Sequence, residues 1–236
     1  MTAAEIVKQL KTMGNEGYKR TMMNHGIKEP IYGVKIEDMK NKFQKKIKKD
    51  YQLALDLYDT GIYDAMYLAG LIADESKMTK KDLQHWIEHT NGAMTCDYTV
   101  PWVTAESPHG REMALKWIDS KKEIEARAGW ATLNGLVALK DDSELDIDEL
   151  KRLLQRVEKT IHQQPDRVRY VMNGFVIAVG SYVKPLSDLA IQTAKKIGKL
   201  TVDMGDTACK VPFAPEYIEK AKKRGSLGKK RKTIRC

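Results

Sequence analysis

The stretch "IEARAGWATLNGL", Ile124 to Leu136, decides how this chain folds. Larger apolar residues recur at helical spacing, and small ones sit between them at mid-helix, where a neighbouring helix must come close. Two further stretches read the same way: "YDAMYLAGLIA" at 63–73 and "VRYVMNGFVIAVG" at 168–180. Each follows another helical pattern, so the chain reads as paired helices.

Working outward, helix-period patterns continue almost without interruption, near 51–60, 62–74, 79–90, 97–106, 109–119, 122–139, 146–163, 166–182 and 185–198. In "IEDMKNKFQKKIKKD", Ile36, Met39, Phe43 and Ile47 form one stripe, and six lysines between 40 and 49 fall mostly off it. Ser143 is the expected N-cap of the helix in "SELDIDELKRLLQRVEKTIH", whose early acids suit the helix dipole. Arg127 and Arg169 occupy comparable places 42 residues apart, inside the ~40–47 residue period of HEAT-like units. The expected fold is all-α, a right-handed α-solenoid or superhelix of HEAT-like helical pairs with a concave face. "KLTVDMGDTACKV", 199–211, breaks the pattern and reads as a small β-hairpin turning at Gly205.

The chain of 236 residues is 42% hydrophobic and only 7% aromatic, enough for a sizeable core and poor in strand formers. Its 41 basic and 32 acidic residues give a net charge of +9. Nine of the basic residues lie in the last 17 positions, "KAKKRGSLGKKRKTIRC", which contain no acid; the remainder is balanced at 32 against 32. The organisation read from this is one helical domain, 1–219, and a basic tail, 220–236. A block of like charge is often just a solvated terminus. So concentrated a block is also a polyanion site, since each phosphate neutralised releases counterions. Lys222, Lys223, Arg224, Lys229, Lys230, Arg231 and Lys232, with Lys210 of the expected hairpin and Arg169, are the candidate contacts to a DNA backbone. "KKRK" also fits a nuclear import signal, but nothing else in the sequence points to a eukaryotic cell, so a bacterial source is expected.

Three scattered cysteines make no disulfide framework and fit a reducing cytoplasm. The start is an amphipathic helix pattern rather than a signal peptide. The most apolar run, Val171 to Val183, is 13 residues long, short of the ~20 a membrane span requires. The protein is expected to be a cytoplasmic monomer that meets no membrane. His85 and His89 stand one turn apart with Cys96 beyond, but no fourth ligand is evident, so neither metal nor cofactor is expected. Phosphate-cradling glycine motifs and G-x-S-x-G are absent.

"MTCDYTV" (94–100), "KWIDSKKEIEARAGWATL" (116–133) and "RVRYVMNGFVIAVG" (167–180) together resemble the HEAT-like-repeat DNA glycosylase superfamily, the DNA alkylation repair proteins. The resemblance implies a solenoid that holds duplex DNA and, in active members, excises N3- and N7-alkylated purines. By residue, it places Asp97 at the family's catalytic carboxylate and Arg127 at its phosphate-binding arginine. The aromatic four residues before the acid is replaced by Ala93, and a second aromatic by Phe175, which would contact the lesion. A fixed carboxylate stabilises an oxocarbenium-like sugar, Arg127 would grip a phosphate through its planar fork, and each lost ring removes a cation–π face worth ~0.5–2 kcal/mol.

Two functions follow from the resemblance. One is a glycosylase using Asp97 and Arg127; the other is a non-catalytic binder of branched, bent or damaged DNA with an eroded site. Each residue also has a structural alternative: Asp97 as a helix N-cap, Arg127 paired with Glu123 one turn away, Phe175 in the core. A helical scaffold for protein partners is a third possibility at the level of the fold.

Overall fold

The computed structural model describes residues 1–203, 207 and 210–235. These form an all-helical chain whose backbone divides into two compact units, Met1–His109 and Gly110–Asp203, with 210–234 joining the second and Arg235 the first.

The first unit holds α1 (Ala3–Met13), α2 (Glu16–Asn24), α3 (Ile36–Met39), α4 (Tyr51–Tyr58), α5 (Tyr63–Ile72), α6 (Lys80–Glu88) and α7 (Val100–Glu106). Side chains start these helices. Thr2 with Glu5, and Thr79 with Asp82, form reciprocal capping boxes, and Asp50 caps α4. All ten residues of α5 are buried, including Asp64. Its carboxylate is not orphaned: it accepts the amides of Tyr32 at 2.6 Å and Val34 at 2.7 Å, which fixes the loop before α3. Burial still pushes the carboxyl above its usual range, against the pull of those amides. Tyr58 stacks on Trp86 at 4.2 Å and donates its hydroxyl to the Trp86 carbonyl, joining α4 to α6.

The second unit holds α8 (Gly110–Ile118), α9 (Glu123–Leu139), α10 (Ile147–Thr160), α11 (Asp166–Tyr182), α12 (Ser187–Ile197) and α13 (Ala214–Lys223). The pairs expected from sequence are in contact: α4 with α5, α8 with α9, and α10 with α11, while α11 also packs on α9 and on α12. Gly129 shows why the small residues matter. A Cβ there would lie 2.7 Å from the backbone nitrogen of Ile118 and 2.9 Å from the Ala114 carbonyl, so α8 and α9 approach as no larger residue permits. The narrow apolar stripe of α10 buries Leu150, Leu153, Leu154 and Val157.

Three expectations change. The N-cap of α10 is Asp146, which accepts the Glu149 amide, whereas Ser143 lies in a 3₁₀ turn at Asp142–Glu144. The turn of the hairpin expected at 199–211 falls outside the described residues, and its described parts, 199–203, Thr207 and 210–211, are not in strands. An isolated antiparallel bridge, Ile27 to Gly92, is the β-type pairing found among the described residues. Finally, the boundary drawn at 219/220 lies inside α13, so the basic segment begins on a helix rather than as a free tail.

Candidate nucleic-acid interface

Asp97 lies inside a π-helical turn, Thr95–Thr99, that runs directly into α7. The cause is Pro101. Proline has no amide to donate to the carbonyl four residues back, and its ring crowds that carbonyl, which belongs to Asp97. The backbone widens instead, and Val100 donates to Thr95 five residues back. Such single π turns often mark functional sites. The turn is held on its inner side by α5, where a Cβ on Gly70 would lie 2.4 Å from the Thr99 methyl group. Thr95, Cys96 and Thr99 are buried, Asp97 is half-buried and Tyr98 is 38% exposed. Asp97 caps no helix, since the N-cap residues of the turn and of α7 are Met94 and Thr99. Tyr98 meets Trp102 one turn on, with centroids 5.9 Å apart, and Trp102 meets Tyr67 of α5 edge-on at 5.8 Å. The sequence reading passed over this aromatic series, although an i, i+4 Tyr–Trp spacing beside the acid was available to find it.

In the second unit, Arg127 is half-buried on α9. Phe175 of α11 is 0% exposed and packs on Trp130 of α9 with centroids 5.2 Å apart. The Arg156 guanidinium covers the Trp130 ring at 5.7 Å. Phe175 is therefore a core residue, which corrects its expected place against a base. Arg169 is engaged as well: it pairs with Asp166, whose other oxygen accepts the Asp203 amide at 2.7 Å.

The basic segment is tied down rather than loose. The Gly228 amide donates to the Ser181 carbonyl at 2.9 Å and the Arg231 amide to the Ala138 carbonyl at 2.8 Å. Lys230 donates to the Val137 carbonyl and pairs with Asp142 at 2.8 Å, leaving its side chain 14% exposed. Lys222 pairs with the exposed Asp188 at 2.6 Å, which raises the lysine pKa. Arg235 is 7% exposed: it donates to the Ala73 carbonyl at 2.7 Å and to Glu75 at 2.6 Å, and its Nε lies 2.8 Å from Glu106 as an ion pair without hydrogen-bond alignment. Burial pushes Glu75 up, but Lys49, its own amide and Arg235 pull it down further, so it stays below the usual carboxylate range. Lys222 and Lys230 are thus partly spent on internal partners. Lys223, Arg224, Lys229, Arg231 and Lys232 are exposed and make no ion pair among the described residues, and Lys210 is exposed too.

Among the described residues no group of three His, Cys, Asp or Glu is placed to hold a metal. His85 instead pairs with Asp59 at 2.8 Å. Among the described residues no single helix is long and apolar enough to cross a membrane.

These features define an all-helical protein of close-packed pairs with a cationic surface built at its C-terminus. The family model described as DNA alkylation repair enzyme matches residues 6–211. Uncharacterized proteins Lin0241 of Listeria innocua and Lmo0209 of Listeria monocytogenes are each 30% identical over 230 residues, covering 95% of this chain and 99% of theirs. A solved structure, described as "a new family of proteins related to the HEAT-like repeat DNA glycosylases with affinity for branched DNA structures", aligns over 100% of both chains with TM-score 0.92 and 36% identity. The chain belongs to the DNA alkylation repair family.

Proposed function

We propose that this protein binds DNA that departs from a plain duplex, at branches or bends, and does not excise bases. In this reading the helical pairs form the right-handed solenoid of HEAT-like units, and DNA lies along it. The burial of Phe175 against Trp130 carries the argument. With Ala93 in place of one ring and Phe175 withdrawn into the core, neither of the two aromatic positions by which the family would recognise a cationic base offers a face to one. The exposed Lys223, Arg224, Lys229, Arg231 and Lys232 supply backbone affinity without sequence preference, and Arg127 adds a phosphate contact in the second unit. The affinity for branched DNA reported for the 36% identical relative supports the same conclusion.

One observation favours excision as the second reading: Asp97 sits on a π turn beside the exposed ring of Tyr98. Release of free base separates the two. From duplexes carrying 7-methylguanine or 3-methyladenine, the wild type is expected to release nothing above the spontaneous rate. Release that vanishes in Asp97→Asn would establish the glycosylase and overturn the binder.

A further inference from the structure

The carbonyls at the C-terminal end of a helix lack partners within it, and together they carry about half an elementary negative charge. In the second unit α9 and α11 pack against each other, and one stretch of chain covers the ends of both. The Gly228 amide donates to Ser181 in the last turn of α11 at 2.9 Å, and the Arg231 amide donates to Ala138 in the last turn of α9 at 2.8 Å. Between them Lys230 turns inward and donates to the Val137 carbonyl at 3.0 Å. On the other side the Lys229 amide donates to the Ser226 carbonyl, and the Ser226 amide to Ala221 of α13. The backbone is thus tied back repeatedly between α13 and Arg231. Gly228 makes the path possible: its φ is +75°, which side-chain-bearing residues avoid, and a Cβ there would lie 3.3 Å from the Lys184 Cβ.

We infer that residues 226–231 form a clasp over the C-terminal ends of α9 and α11, which presents Lys229, Arg231 and Lys232 as a preorganised strip for the sugar-phosphate backbone of DNA, with Gly228 as the positioning residue. The inference rests on the DNA-binding reading above and deepens it. Bare, this end of the unit would offer a phosphate two helix C-termini and the carboxylates of Asp141 and Asp142, which follow α9 directly, and all of these repel it. Covered, it offers three exposed cations, so the clasp reverses the polarity of the surface. A fixed strip also loses less conformational entropy on binding than a loose tail of the same charge, and so binds more tightly at equal charge.

Charge and clasp make different predictions for one variant. Gly228→Val leaves every charge in place, so bare electrostatics predicts unchanged DNA binding. The clasp predicts binding weaker by about tenfold, since the strip must then be ordered at the moment of association. The dependence of log K on log salt should keep its wild-type slope, because no cation is removed. Fluorescence anisotropy on a labelled four-way junction with the full chain measures both. Trypsin digestion gives a readout independent of DNA: cleavage after Lys229 and Arg231 should be slow in the wild type and fast in Gly228→Val. Affinity equal to wild type, a reduced slope, or unchanged cleavage overturns the inference. If Gly228→Val lowers the Tm of the whole protein, two glycines inserted between Lys229 and Lys230 serve instead, since they slacken the span between the two helix ends at constant charge. The same weakening is expected, and wild-type affinity overturns the clasp. A wild type that binds no junction at all would instead remove the DNA reading beneath it, a different result from either.

Discussion

Phe175→Ala is expected to destabilise the protein by about 3–5 kcal/mol, lowering Tm by roughly 6–20 °C for a chain of this length. The ring is fully buried and touches Trp130, so its removal leaves a cavity between α9 and α11 that the two helices are too closely packed to collapse. Phe175→Leu keeps most of the volume and is expected to bind DNA as the wild type does, because the side chain never reaches a base. A thermal melt of both variants, paired with junction binding below their melting temperatures, tests the assignment. An unchanged Tm together with a selective loss of DNA binding would return Phe175 to the interface.

The second large effect concerns the exposed cations of the C-terminal segment. Replacing Lys229, Arg231 and Lys232 together by alanine should flatten the dependence of log K on log salt by about 2–3, since each lost phosphate contact removes ~0.9 from the slope. At ~0.1 M salt the same counterion term amounts to roughly two to three orders of magnitude in affinity. The loss should be similar for duplex and branched DNA, because phosphate contacts carry no sequence or shape information. Neutralising Lys222 and Lys230 should matter less, as both already have acidic partners, Asp188 and Asp142. The exposed Lys222 pair is weak enough to exchange its carboxylate for a phosphate, so its effect should exceed that of Lys230. An unchanged slope in the triple variant would place the DNA elsewhere.

The helices were legible in sequence because apolar periodicity and small residues act locally. Gly70 and Gly129 sit where the close approaches occur, and the stretches around them foretold it. The Asp97 turn was half legible: the acid stood out, while the signal for its backbone, Pro101 four residues later, is clear only once α7 is known to continue through it. The cationic segment was misread in character. Its charge was plain, but its partners Asp142, Asp188, Glu75 and Glu106 lie 34 to 160 residues away along the chain, so no window of sequence joins them. A count showing 32 acids balancing 32 bases over the rest of the chain conceals that a few of those acids are dedicated to the tail. Phe175 was misplaced because a resemblance maps positions, and only packing shows which way a side chain points.

In the function proposed here, the protein reads DNA shape and not a damaged base. A competition measures it most directly: an immobile four-way junction against a linear duplex with the same arm sequences, at fixed salt, for the full chain. The junction is expected to be preferred by about tenfold or more, at least ~1.4 kcal/mol, with no strand carrying an abasic site afterwards. Equal affinity for the two DNAs, with abasic sites accumulating in an alkylated duplex, would contradict it.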